Sequence, residues 1–207
     1  MPAGRAKGDH EAKRITIAEA ACTVFLRLGL ARTSLADIAR DMGYTTGVLR
    51  HYFADKDELL LYAKNLLFDR SFQKARAAAD RCIGLQRLRT MATEFLPSNK
   101  ETIDSYRLLA MFNGNAIGDA RLMRVQHKRN ESHTALLADE ITALQREEFL
   151  PKELDARLEA CGILGLIDGL AEQVIMRPEA LSRAQLEGLV NRYIDCLARP
   201  SRGSHRA

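Results

Sequence analysis

The segment SLADIARDMGYTTGVLRHYF, residues 34–53, determines the predicted fold of this chain. Ser34 offers a hydroxyl N-cap to a short helix from Leu35 to about Asp41, and Gly43 follows as a residue that readily adopts a left-handed backbone. Thr45 caps a second short helical run, which contains Val48, Leu49, Tyr52 and Phe53. Two short helices that flank a tight glycine turn are typical of a helix-turn-helix.

The second short helix carries side chains that suit DNA. Its outward set combines short hydrogen-bond donors, one long cation and a glycine that permits close approach: Thr45, Thr46, Gly47, Arg50 and His51. Tyr52 is expected to reach a phosphate, and Lys56 lies beside that surface. The alternative interpretation is a tight helical hairpin whose polar face is only solvated, because such a hairpin has the same sequence pattern. Residues 1–60 contain nine Lys and Arg against eight Asp and Glu, so any basic surface must be local.

The rest of the chain predicts an all-α protein of about nine helices. Of the 207 residues, 46% are hydrophobic and 28% charged, and the five prolines leave two long stretches free for helices. The predicted helices are Glu11 to Leu28, Leu35 to Asp41, the run after Thr45, Asp55 to Asp80, Leu85 to Phe95, Thr102 to Asn113, Asp119 to Phe149, Lys152 to Met176 and Ser182 to Ala198.

These helices are predicted to form two domains. Residues 11–71 make the helix-turn-helix domain, and a long helix that begins after Asp55 joins it to a ligand-binding and dimerisation domain at residues 72–199. Residues 1–10 and 200–207 are small, polar and basic, and we expect both to be disordered tails.

Several classes of function are disfavoured. There is no glycine-rich phosphate loop, no His pair with an intervening Glu and no serine elbow, so we expect no enzyme and no cofactor. The four cysteines lie far apart, which predicts buried reduced thiols and no metal site. No segment is long and apolar enough for a bilayer, and the N-terminus has no apolar signal region, so a cytoplasmic protein without a membrane partner is expected.

The stretch from Ile15 to Leu67, above all TSLADIARDMGYTTGVLRHYFADKDELL, resembles the DNA-binding domain of the tetracycline-repressor (TetR) family. The resemblance implies that Ser34, Thr45, Thr46, Arg50, His51, Tyr52 and Lys56 face DNA and that Gly47 permits the approach. Many members carry an aromatic residue where this chain has Arg50, so base preference or phosphate contact is expected to differ here.

The stretch Gly165 to Leu186 looks like the ligand-binding domain of the branch that includes the choline-responsive betaine-synthesis repressors. Gly162, Gly165 and Gly169 recur on one helix face, which would let another helix approach closely. Internal packing is the alternative to a dimer. With Leu186, Leu189, Val190, Tyr193 and Leu197 on the next helix, we expect a four-helix dimer interface.

Candidate effector contacts mix adaptable apolar side chains with a few polar ones: Met91, Phe95, Met111, Phe112, Asn115, Met123, His127, Ile167 and Glu172. Plain core packing is the alternative for each of them. A choline-like cation needs an aromatic cage and a carboxylate, and because the chain has no Trp we do not expect choline itself.

Together these features predict a ligand-responsive regulator, a repressor that binds a palindromic DNA operator as a homodimer and is released by a small-molecule effector. The alternative is a ligand-independent helix-turn-helix DNA-binding or scaffold protein.

Overall fold

The computed structural model describes residues 3–198. Within that range the chain forms nine α-helices and no strand, which confirms the predicted all-α class. The helices are α1 (Ala3–Leu28), α2 (Leu35–Asp41), α3 (Thr46–Tyr52), α4 (Lys56–Ala79), α5 (Leu85–Glu94), α6 (Lys100–Ala116), α7 (Ala120–Arg146), α8 (Ala156–Met176) and α9 (Arg183–Leu197).

Two predicted helix starts are wrong. Helix α1 begins at Ala3 and no proline interrupts it, so residues 3–10 are helical although a disordered tail was expected. Helix α8 begins after Asp155, four residues later than predicted, because the Asp155 carboxylate accepts the N–H groups of Arg157 and Leu158 as an N-cap. The remaining tail residues, 1–2 and 199–207, lie outside the described residues.

The helices divide into two compact units that do not follow the predicted sequential boundary. The first unit contains the described residues up to Arg70 together with Asp104–Ala120, and the second contains Ser71–Ile103 and the residues from Arg121 onward. Most of α6 therefore belongs with the helix-turn-helix, where the sequence predicted one continuous second domain. Both α4 and α6 contain residues of each unit.

The first unit packs α1, α2 and α3 around one apolar core. Its fully buried side chains include Phe25, Ile38, Leu49, Phe53 and Leu60. Arg14 covers this core, because its guanidinium lies 4.6 Å from the Phe53 ring centroid and pairs with Glu58 at 3.1 Å. Burial of these large apolar groups, each contributing about 1.5–3 kcal/mol, fixes how α3 is held against α1 and α2.

The second unit packs α5, α8 and α9 against one another. Arg87 of α5 joins two carboxylates, at 2.6 Å from Glu140 in α7 and 2.8 Å from Glu147 directly after that helix. On α9, Tyr193 donates its hydroxyl to Glu159 of α8 at 2.9 Å, and burial together with this hydrogen bond raises the pKa of Tyr193 to about 12. These polar contacts orient helices whose facing sides are otherwise apolar.

All four thiols are free, but they are not all buried as expected. Cys22 is buried, and burial raises the pKa of its thiol to about 12. Cys82 is half-buried, whereas Cys161 and Cys196 are exposed. Within residues 3–198 no helix meets the length and hydropathy that a bilayer crossing requires.

Candidate nucleic-acid interface

The helix-turn-helix is held by local hydrogen bonds that its sequence specifies. Ser34 and Asp37 form a reciprocal capping box at the start of α2, and Thr45 Oγ1 accepts the Val48 N–H at the start of α3. Gly43, between the two helices, has φ 69°, a conformation that strains any other residue. The turn therefore presents α3 at the surface of the first unit.

Helix α3 exposes the outward set that the sequence predicts. Gly47, Arg50 and His51 are exposed, while Thr46 and Tyr52 are half-buried. A Cβ placed on Gly47 would meet only Thr45 Oγ1, at 3.7 Å, so nothing inside the described chain requires a glycine there. Because a helical glycine costs about 0.5–1 kcal/mol relative to alanine, its open face favours an external partner that approaches closely.

The charges around α3 leave Arg50 as an available cation. Asp37 pairs with Arg40 at 3.1 Å, and hydrogen bonds from Ser34 hold the pKa of the Asp37 carboxyl below its usual value. Asp41 pairs with Arg27 at 2.5 Å. Among the described residues Arg50 has no ion pair, so the positive field at this surface is local, as the nearly balanced charge count requires.

Three residues predicted to contact DNA also use polar groups for local structure. Lys56 Nζ donates to the carbonyl oxygens of Leu30 at 3.1 Å and Thr33 at 3.4 Å, which ties α4 to the loop between α1 and α2. Ser34 donates its hydroxyl to Asp37 Oδ2 at 2.6 Å. Thr45 Oγ1 accepts the Val48 N–H as described above, so its own hydroxyl proton can still be donated to another group. The contact of Lys56 with DNA stays a prediction, and in this structure its ammonium binds the two loop carbonyls.

Val48 is the surface residue of α3 that sequence reasoning missed. It was named in the run with Leu49 and Phe53 and was left out of the outward set, but its side chain is 37% exposed, whereas those two are buried. Leu49 and Phe53 are four residues apart and define the buried face, and Val48 lies about 100° around the helix from Leu49. That spacing was a signal that could have identified Val48 as exposed.

Helix α1 also contributes to this surface. The His10 ring lies 4.8 Å from the Tyr52 ring and 5.9 Å from the His51 ring, between centroids. Lys13 donates to the Tyr44 hydroxyl in the turn before α3, and its ammonium lies over the Tyr44 ring. No α1 residue was predicted to line the interface, because sequence spacing within one helix does not show what it faces.

The predicted effector residues fall in both units. Met111, Phe112 and Asn115 belong to the first unit, and Met91, Phe95, Met123, His127, Ile167 and Glu172 belong to the second. Met91, Phe95, Phe112 and Ile167 are buried, His127 and Glu172 are exposed, and the Asn115 amide donates to Asp57 at 2.9 Å. An open cavity of the second unit, lined by residues 148–153 and Ala198, contains none of them.

The predicted dimer residues separate into two groups. Leu186, Val190 and Leu197 are buried within the second unit, so their expected place at a dimer surface is corrected. Gly162 also packs internally, because a Cβ there would lie 2.2 Å from Tyr193 Oη. Gly165 and Gly169 are exposed and face open space, and Leu189 is half-buried.

Comparison with known proteins agrees with this architecture. Residues 17–63 match the family of bacterial regulatory proteins called the tetR family. Residues 84–199 match the C-terminal domain of BetI-type transcriptional repressors. The HTH-type transcriptional regulator PksA of Bacillus subtilis is 27% identical over 91% of each chain. The HTH-type transcriptional regulator BetI of Burkholderia ambifaria is 28% identical over 92% of this chain and 96% of that one.

A solved structure has the same fold. A transcriptional regulator from Saccharomonospora viridis, determined in complex with choline, has a TM-score of 0.78 at 20% identity, over 89% of this chain and 96% of that one.

Proposed function

The chain belongs to the TetR family of transcriptional regulators, with a BetI-type C-terminal domain, and on that premise we propose that it acts as a homodimer on a palindromic operator and is released by a small-molecule effector. The family and its relatives are transcriptional regulators. The observation that carries the DNA part of the proposal is the exposed α3 face, where Gly47 leaves open space beside the unpaired Arg50.

We assign the outward side chains of α3 to two kinds of DNA contact. Arg50 and Thr46 are proposed to read base edges, and Thr45, His51 and Tyr52 to donate to phosphates. Ser34 and Lys56 are proposed to position the reader, because their donors already bind Asp37 and the loop carbonyls. Val48 is added as an apolar contact for the C5-methyl group of a thymine, the one apolar feature of the major groove.

For the dimer we propose the exposed face of α8 rather than the full set of α8 and α9 residues. Gly165 and Gly169 lie on that face without a neighbour within 4 Å, which allows a second helix to approach closely. Leu158 and Met176, 65% and 72% exposed, supply apolar area at its two ends. A palindrome requires two readers about 34–36 Å apart, and one chain presents only one.

We propose the predicted residues as contacts of the effector, but we do not propose choline as that effector. The chemistry of an aromatic cage depends on free ring faces, and in the first unit the Lys64 ammonium lies 4.5 Å from the centroid of the Phe112 ring. A quaternary ammonium could not use that face while Lys64 covers it. We therefore do not propose the choline of the Saccharomonospora viridis complex as the effector of this chain.

Coupling between effector and operator is proposed to act through α4. This helix has 24 residues and contains residues of both units. At 1.5 Å per residue it extends about 36 Å, so a small displacement at one end can alter the spacing of the two readers. Reciprocal linkage then requires operator DNA to weaken effector binding by the same factor, about 5- to 150-fold.

The DNA assignment is tested by comparing Arg50→Ala with Arg177→Ala on an operator and its single-base variants. Arg177 is the matched control, since it is equally exposed but follows α8. Arg50→Ala should relax preference at one position by about 1–3 kcal/mol, and Arg177→Ala should leave it intact. A uniform loss on every sequence would contradict base reading by Arg50.

The effector part needs a separate experiment. A thermal-shift screen of small metabolites detects ligands that bind the folded chain, because such ligands raise the melting temperature. Each hit is then titrated against the free protein and against the operator complex. Equal affinities in the two titrations would contradict ligand-controlled release and leave a ligand-independent DNA-binding protein.

A further inference from the structure

Three polar rings meet at the end of α3, and one of them comes from α1. His10 contributes a ring 4.8 Å from Tyr52, His51 lies 5.0 Å from Tyr52, and the two imidazole centroids are 5.9 Å apart. The two α3 residues belong to the proposed DNA interface. His10 extends the same surface onto a second helix.

The polar atoms of this ring cluster have no hydrogen-bond partner among the residues whose side chains the structure describes, 8–128 and 130–198. Its neighbours on α1 differ, because Glu11 accepts from the Tyr62 hydroxyl at 2.5 Å and Arg14 pairs with Glu58 at 3.1 Å. His10 is half-buried, so part of its ring remains accessible to solvent. The cluster therefore holds imidazole N–H and phenol O–H donors that the first unit itself leaves unused.

Such donors suit the oxygen atoms of a phosphate, and duplex DNA that lies on α3 brings phosphates to this edge. We infer that His10 binds a phosphate of the DNA backbone together with His51 and Tyr52, so that α1 forms part of the interface. This inference rests on the proposed DNA binding by α3 and extends it to a residue of another helix. A phosphate contact positions the reader but carries no sequence information.

Ring packing alone could also place His10 beside Tyr52, and two variants separate these roles. His10→Phe keeps an aromatic ring of similar size but has no donor, whereas His10→Gln keeps a donor and has no ring. Asn113→Phe is the control, since Asn113 is an exposed residue of α6 that also carries an N–H donor and has no place in the proposed sites. The probe is a fluorescent 30-base-pair duplex of mixed sequence, because phosphate contacts do not depend on an operator.

In the anisotropy titration, His10→Phe should bind the duplex about ten-fold more weakly than the wild type, equivalent to about 1.4 kcal/mol. His10→Gln should stay within about three-fold of the wild type, and Asn113→Phe should equal it. If the melting temperature of His10→Phe is well below that of the wild type, the duplex affinities of His10→Ala and His10→Gln are compared instead. The first of these variants lacks the side-chain donor and the second keeps one.

Wild-type affinity in His10→Phe, or equal losses in the Phe and Gln variants, would overturn the phosphate contact and leave DNA binding by α3 standing. Failure of the wild type to bind any duplex would instead refute the proposed function itself. The two outcomes are distinguishable within one set of titrations.

Discussion

Gly47→Ala should make the folded protein more stable and its DNA complex weaker. Gly47 is the second residue of α3, it is not among the glycines with positive φ, and an added Cβ would make one ordinary contact of 3.7 Å. Replacing a helical glycine by alanine therefore stabilises the fold by about 0.5–1 kcal/mol. For a chain of this size that corresponds to a rise in melting temperature of roughly 1–4 °C.

The effect on DNA binding has the opposite sign. The new methyl group would project into the space that the α3 backbone shares with the base edges, and the reader would have to withdraw. We expect a loss of about ten-fold or more in operator affinity, equivalent to about 1.4 kcal/mol. Partial unfolding would lower both the melting temperature and the operator affinity, so it cannot explain a rise in the first together with a fall in the second.

The assays are thermal denaturation without DNA and an anisotropy titration with the operator. Gly114→Ala is the matched control, because Gly114 lies in α6 with nothing within 4 Å of an added Cβ, and the expected result is higher stability with unchanged DNA affinity. Unchanged operator affinity in Gly47→Ala would refute the close approach of α3 to DNA. A lower melting temperature would refute the energetic argument for an external partner.

Three further predictions follow from the corrected roles of individual residues. Replacing the contacted thymine of the operator by deoxyuridine should weaken the wild type but not Val48→Ala, and equal losses in both would exclude a methyl contact by Val48. Lys56→Met should lower the free energy of unfolding by about 1–3 kcal/mol through the lost carbonyl contacts, and a drop in DNA affinity without loss of stability would restore the phosphate role. Gly165→Leu should give a stable monomer in sedimentation, whereas Gly162→Ala should destabilise the subunit itself because its Cβ meets Tyr193 Oη; a dimeric Gly165→Leu variant would move the interface elsewhere.

The sequence predicted best those features that depend on neighbouring residues. The N-caps at Ser34 and Thr45 and the left-handed Gly43 are local hydrogen-bond and backbone requirements, and all three are present in the structure. Most helix ends lie within a few residues of their predicted positions for the same reason. The predicted start of α8 at Lys152 was wrong because Asp155 caps this helix, which begins at Ala156.

Features that depend on distant parts of the chain could not be predicted in this way. The spacing of Leu186, Val190 and Leu197 identifies an apolar face of α9, but the same spacing serves a subunit core and a dimer surface equally well. The close approach of Gly162 in α8 to Tyr193 in α9 shows that these helices pack within the subunit. These residues are 31 positions apart, so the sequence pattern does not reveal their contact. The bonds of Lys56 to the carbonyl oxygens of Leu30 and Thr33 likewise join distant parts of the chain, and the spacing of residues around Lys56 does not indicate them.

The central claim is that this chain reads a palindromic DNA sequence with two copies of α3. The most direct measurement is selection of binding sites from a pool of random duplexes by the wild-type protein, followed by sequencing of the enriched pool. We predict two inverted half-sites whose centres are separated by about 10–10.5 base pairs or a multiple of that distance. Enrichment of no sequence, or of a single half-site without its inverted copy, would contradict the claim.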